Sequence, residues 1–317
     1  MHMPSPGLTE FDYVKPTSLA EASRFLAEHA GEARPPLPFM GGTDIFVRIR
    51  DGFICPQIVV DVKHLPGMRD IRYDERTGLM IGAAATMNKV ARHPEIQDRY
   101  PLLAEAANSV ASYQVRNRAT IGGNLCNGSP AADTAPAALV LEGRIVLYGP
   151  DSSTDPSGFG KPEGSKCGER EVPAEEFFLG PSKTAVQAGE LMTAIRFPTP
   201  PVGSAGRYLK LGRNKVGDLS IVGVAVFGFP DGTAPSGYRF RIGLASVAPV
   251  PLRALEAEEV LAANPPGEET FTLAAEKTME AAAPIDDVRA SAAYRKAMVR
   301  NLTLRGLRDV WERLRNT

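Results

Sequence analysis

Two short runs, Gly41-Gly42-Thr43-Asp44 and Thr120-Ile121-Gly122-Gly123-Asn124, set paired glycines beside hydroxyl and amide side chains. A phosphate group is held by convergent backbone N–H donors, and a backbone comes close enough only where side chains are absent. One double glycine is an ordinary tight turn. Two, each after a stretch that reads as an apolar strand, predict a clamp around a diphosphate. Asp44 is the awkward member, because a carboxylate repels such an anion; the expectation is that it caps the segment after it and points away. Asp133, nine residues beyond Asn124, has two open roles. It can accept from ribose or ribityl hydroxyls, or it can N-cap a helix that begins near Ala135.

Other chemistries lack their equipment. Neither glycine run carries the lysine of a phosphoryl-transfer loop. The four histidines, His2, His29, His64 and His93, sit in terminal, helix or turn contexts that suggest no hydrolytic triad. Cys55, Cys126 and Cys167 are widely spaced with no CxxC, so a cluster held by four thiolates of this chain is excluded by count. No zinc-ligand spacing occurs, and three free thiols is the reading. The stretch Asp151–Gly168 contains G-x-G-x-x-x-G, which misses the dinucleotide fingerprint, and is expected to be a mobile surface loop. With 36 basic and 37 acidic residues the net charge is −1, which leaves no electrostatic footprint for nucleic acid or a membrane surface. No run is apolar and long enough for a membrane span, and the N-terminus has no signal-peptide core, so a cytoplasmic location is expected. What remains is a protein whose cofactor carries the chemistry.

The surrounding elements must hold the two runs together. Ser18-Leu-Ala-Glu21 is a capping box opening a helix with Leu19, Ala22, Leu26 and Ala30 on one face. Leu37–Met40 and Ile58–Val62 read as buried strands, and Asp74–Gly78 as a hairpin turn. Beyond about residue 185 the pattern changes to strands at Arg207–Gly212, Ser220–Phe229 and Tyr238–Ser246. Helical runs follow at Leu252–Ala263, Thr270–Ala283 and Val288–Leu314. The last carries seven basic residues, Arg295, Lys296, Arg300, Arg305, Arg308, Arg313 and Arg315. They are expected to form a solvated face on a core-packed helix, with a partner-docking face as the alternative. The fold class is α+β, with domains at 8–184 (subdivided near 60) and 185–317. The second is a smaller unit of a three-stranded antiparallel sheet plus helices.

Four stretches in this order, "FMGGTDIFVRIRDG", "RNRATIGGNLCNGSPAADTAPAALVL", "EEFFLGPSKTAVQAGELMTAIRFP" and "YLKLGRNKVGDLSIVGVAVF", resemble the FAD-binding (medium) subunit of the molybdenum hydroxylases, the xanthine dehydrogenase and carbon monoxide dehydrogenase family. The resemblance runs from about Phe11 to the C-terminal helix. It implies a two-part FAD domain of the vanillyl-alcohol-oxidase (PCMH) type followed by a smaller domain. It also implies that Gly41, Gly42, Thr43, Asp44 and Ile45 form one FAD-contacting loop, and that Thr120, Gly122, Gly123, Asn124, Asn127 and Asp133 form another. Met192 matches a position near the adenine or dimethylbenzene contacts, Lys210 a lysine near the flavin, and Leu219 the side chain that covers one flavin face. The family often has an acid where Gly217 stands.

The resemblance further implies a complex, expected as a dimer of heterotrimers, with a small subunit bearing two [2Fe–2S] clusters and a large subunit bearing molybdopterin. Electrons would pass through FAD to NAD or another acceptor. No catalytic residue and no metal ligand is expected in this chain itself. The 4-hydroxybenzoyl-CoA reductase branch carries an extra cluster on an inserted cysteine loop that is missing here. A self-sufficient FAD oxidoreductase of the same fold would need an acid or base at the flavin, and none stands out. A non-catalytic nucleotide-binding module is the remaining alternative.

Overall fold

The first helix, Leu19–Glu28, starts as its sequence demands: the Ser18 hydroxyl accepts from the Glu21 N–H at 3.1 Å. The Glu21 carboxylate closes the box one residue earlier than expected, taking the Thr17 N–H at 2.8 Å and the Thr17 hydroxyl at 2.7 Å. This computed structural model describes residues 7–150, 168–214 and 217–316. The expected loop at 151–168 therefore lies almost wholly outside the described residues, as does Cys167.

The helix crosses between two strands of a three-stranded parallel sheet ordered Asp12–Val14, Ile58–Asp61, Leu37–Phe39. A second helix, Ile45–Arg50, connects Leu37–Phe39 to the central strand. Parallel neighbours need such crossovers, and the sheet is complete by Asp61.

A five-stranded antiparallel sheet follows, ordered Ile71–Asp74, Gly78–Gly82, Leu191–Phe197, Arg144–Tyr148, Glu169–Pro173. Its first pair is the expected hairpin, with Asp74 opposite Gly78. Its central strand lies beyond the expected boundary at 185. Leu191–Phe197 is hydrogen-bonded on both sides within this sheet and buried at all but Arg196. Packed against the sheet are helices Met87–Arg92, Pro101–Ser109 and Thr134–Val140, which contribute Met87, Val90, Leu102, Leu103, Ala137 and Val140 to one core.

The C-terminal sheet runs Ala205–Leu211, Val222–Pro230, Tyr238–Ala245, Leu252–Arg253, all antiparallel. Three strands were expected; the fourth is a two-residue pairing of Leu252 and Arg253 with Leu244 and Gly243, and the helix starts only at Leu255. Arg253 is held out of the helix by ion pairs to Glu258 and Glu175. Strand alternation splits the residues of Val222–Pro230 between two faces. Val222, Val224 and Val226 face helices Leu255–Ala263, Glu268–Ala281 and Ala292–Arg315, whereas Ala225, Phe227 and Phe229 join the N-terminal core.

The long helix Ala292–Arg315 is core-packed, with Trp311 edge-on to Tyr238 at 4.9 Å. One of its arginines departs from the expected solvated face. Arg295 is 2% exposed and donates to the Ile221 carbonyl at 2.9 Å, the Ser246 carbonyl at 2.8 Å and Asp287 at 2.6 Å. Arg308 and Arg300 pair with Glu268 and Glu276 of the neighbouring helix.

Candidate functional site

The two glycine runs meet. A Cβ built on Gly41 would stand 2.3 Å from the Arg118 carbonyl oxygen and 3.1 Å from Ala119 Cα, so the first loop lies directly on the chain entering the second run. Thr120 Oγ1 and Met40 Sδ are 3.8 Å apart across the same seam. Gly42 has φ of +76°, and a side chain there would drive into the rings of Phe39 and Phe46. At this bend the amides of Gly41, Gly42, Thr43, Asp44 and Ile45 donate to no acceptor among the described residues. Five successive free N–H groups beyond the carboxyl end of a parallel strand make an anion-binding concavity.

The second run is built differently from its expectation. It is a short helix, Ile121–Cys126, rather than a turn after a strand, and Thr120 caps it by accepting from the Gly123 N–H at 3.1 Å. The amides of Ile121, Gly122 and Asn124 go to the carbonyls of Ala85 (3.0 Å), Ala83 (2.8 Å) and Thr120 (3.0 Å). The amides of the second run are therefore taken up within the chain, whereas those of the first loop are free. Two of the acceptors come from the chain beside Thr86, which bridges Thr120. The two glycines here do different jobs. A Cβ on Gly122 would meet Ala83 Cβ at 2.6 Å, whereas one on Gly123 would meet only the Thr120 hydroxyl, at 2.9 Å.

Asp44 precedes the helix Ile45–Arg50 without capping it, against expectation. It is open to solvent, yet the protein around it raises its carboxyl above the usual carboxylate range, with the Thr43 hydroxyl and Arg48 charge acting the other way.

Asp133 does not take the capping role, one of the two left open for it. It makes no cap bond to Thr134–Val140 and is 5% exposed. Its Oδ1 accepts from the Tyr208 hydroxyl at 2.8 Å and its Oδ2 from Lys210 Nζ at 2.8 Å. Burial pushes its carboxyl up, while the Lys210 charge and the two hydrogen bonds oppose that. Lys210 Nζ also donates to the Ser109 carbonyl at 3.0 Å. Asn124 Oδ1 accepts from the Thr134 hydroxyl at 2.6 Å, tying the second run to the same helix start. Asn127 is the C-cap of Ile121–Cys126.

Met192 is buried behind the second run, 3.6 Å from Cys126 Sγ, and Leu219 stands 62% exposed beside the buried Ser220. The structure thus joins Gly41 to Ile45 with Thr120 to Asn124, and Asp133 with Lys210. Sequence reasoning missed Tyr208, Ser109 and Ser220. The signal for Tyr208 was available, since it lies two residues from Lys210 and so on the same face of a strand.

Known proteins match this chain over most of its length. Residues 9–155 match the family described as the FAD binding domain in molybdopterin dehydrogenase, and residues 207–310 match the CO dehydrogenase flavoprotein C-terminal domain. The carbon monoxide dehydrogenase medium chain of Hydrogenophaga pseudoflava is 33% identical over 96% of this chain and 98% of its own. The chain belongs to the FAD-binding medium subunits of the molybdenum hydroxylase family. Among other such subunits, it is 30% identical to a putative xanthine dehydrogenase FAD-binding subunit of Escherichia coli K12, covering 92% of each. It is also 30% identical to the nicotinate dehydrogenase FAD-subunit of Eubacterium barkeri, covering 97% and 98%. The solved carbon monoxide dehydrogenase of Hydrogenophaga pseudoflava superposes with a TM-score of 0.85 over 96% of this chain and 98% of that one. The free amides of the first loop suit the diphosphate of this medium subunit's FAD.

Among the described residues no three His, Cys, Asp or Glu side chains gather as a metal site, and no helix is long and apolar enough to cross a membrane. Cys126 turns its thiol inward toward Met192, and burial pushes it up to about 12, whereas Cys55 is exposed. Alkylation of the native protein at pH 8 is expected to label Cys55 and spare Cys126 until unfolding. Peptide mapping checks this, and fast native labelling of Cys126 would show that its pocket opens.

Proposed function

We propose that this chain is the FAD-carrying electron-transfer subunit of a molybdenum hydroxylase complex. It stands between the [2Fe–2S] clusters of a small partner subunit and NAD or another acceptor, with molybdopterin on a large subunit, in the cytoplasm. The observation that carries the reading is the row of free amides at Gly41 to Ile45 seated on the backbone of Arg118 and Ala119. FAD, when bound, supplies electron exchange singly or in pairs.

The chain's own residues bind and orient it. Gly41, Gly42, Thr43, Asp44 and Ile45 offer donors to the diphosphate. Thr120, Gly122, Gly123, Asn124 and Asn127 supply the facing wall. Asp133 holds the Lys210 ammonium at a fixed place, and Leu219 covers one face of the flavin, with Met192 backing the wall. Support comes from medium chains of this length being named as parts of dehydrogenases.

The direct test is purification of the tagged chain from its own host, with flavin, iron and molybdenum measured in the same fraction. All three together support the reading, and an active lone flavoprotein free of iron and molybdenum overturns it. Reduction of the bound flavin by NADH, compared with dyes, identifies the acceptor.

The wall makes a separable prediction. Gly123→Val is expected to weaken FAD binding at least about tenfold with little change in melting temperature, because its side chain meets only Thr120 before entering the cofactor space. Gly122→Val is expected to lower both, since Ala83 is already in contact. Equal losses of flavin and melting temperature at Gly123 would make it a packing glycine.

A further inference from the structure

The strand Ala205–Leu211 presents Tyr208 and Lys210 on one face, and both side chains end on Asp133, one on each carboxylate oxygen. The path of the tyrosine depends on a missing side chain. Gly223 is the ladder partner of Lys210, and a Cβ there would lie 2.6 Å from the Tyr208 hydroxyl oxygen. The glycine opens a slot next to the lysine, and the hydroxyl reaches the carboxylate through it. Ser220 Oγ and Ala245 Cβ are the next neighbours of that point, each at 3.4 Å.

Lys210 has three N–H donors, of which two go to Asp133 and the Ser109 carbonyl. The direction of the third follows from those two. Asp133 is attached to the N-terminal part, but both donors that orient its carboxylate come from the C-terminal strand. A carboxylate with only one of its oxygens held would be free to turn about its Cβ–Cγ bond and carry the ammonium with it.

We infer that Tyr208 is a positioning residue for the cofactor: through Asp133 it fixes where the Lys210 ammonium stands. This rests on the FAD reading above, with Lys210 facing that cofactor. Tyr208 itself need not touch the cofactor, since its hydroxyl acts on the far oxygen of the carboxylate.

The test uses the full chain loaded with FAD, comparing wild type with Tyr208→Phe, Gly223→Ala, the double variant, and Lys210→Met with and without Tyr208→Phe. The readouts are the FAD Kd by fluorescence quenching, the reduction potential of the bound flavin, and the melting temperature without FAD. Tyr208→Phe is expected to weaken FAD about tenfold and to move the potential, with the melting temperature within roughly a few degrees of wild type. Gly223→Ala is expected to do the same by displacing the hydroxyl. The double variant should match Tyr208→Phe alone, because the clash leaves with the hydroxyl. In the Lys210→Met background, Tyr208→Phe should no longer move the potential.

An unchanged Kd and potential in Tyr208→Phe overturns the inference. So does a parallel fall of Kd and melting temperature with the potential unmoved, which marks a purely structural tyrosine. A wild-type chain that takes up no flavin overturns the FAD reading itself, whereas wild-type binding with indifferent variants overturns only the role of Tyr208.

Discussion

Gly41→Ala is expected to lower FAD affinity by about a hundredfold, the largest single-residue loss in the protein. The added carbon would sit 2.3 Å from the Arg118 carbonyl oxygen and 3.0 Å from its carbon. Both sides of that contact are backbone, so no rotamer change relieves it. The first loop must lift from the second run by about 1 Å, and its five free amides then cease to converge on one anion. Overpacking of this kind costs about 1–3 kcal/mol of stability, far less than the unfolding free energy of a chain with two buried cores. Flavin should therefore be lost from a protein that still folds. FAD titration alongside thermal melting checks it, and wild-type affinity in Gly41→Ala would show that the seam between the loops does not shape the site.

Asp133→Ala is the second large effect. It leaves the Lys210 ammonium, 15% exposed, without its counter-ion and the buried Tyr208 hydroxyl without its acceptor. Breaking a buried pair by removing one partner costs about 3–5 kcal/mol, because the remaining charge stays desolvated. Urea unfolding of the chain without FAD should show a lower midpoint, and FAD binding should fall with it. Removing Lys210 as well, as Asp133→Ala/Lys210→Met, should recover part of the stability by taking away the stranded charge, but not the FAD affinity. A double variant no more stable than Asp133→Ala would mean that water already solvates the lysine.

The two halves of the site were unequally legible in the sequence. The first loop was readable because its cause is local: Gly42 needs a positive φ, and the strand before it ends at Phe39. The Ser18 cap and the turn between Asp74 and Gly78 were readable for the same reason. The second run was not, because glycine disfavours a helix interior by about 1 kcal/mol and the run reads as a turn. What overrides that preference is distant, namely the carbonyls of Ala83 and Ala85 waiting for its amides.

Asp133 was left between two roles for a similar reason. Its position before a helix suggests a cap, but its partners are 75 and 77 residues away, at Tyr208 and Lys210. Leu191–Phe197 was not singled out as a strand, and nothing in its residues says that it enters the middle of a sheet begun at Ile71. Local chemistry names elements, while the pairing of remote ones is decided by which surfaces are left to cover.

The spent amides of Ile121 to Asn124 bear on how this protein acquires its flavin. That side of the cradle is held by the chain's own hydrogen bonds. The lip across from it has donors with nowhere else to turn, so occupancy rewards the lip and leaves the back untouched. Flavin uptake is then expected to order the short bend at Gly41 to Ile45 more than the helix facing it.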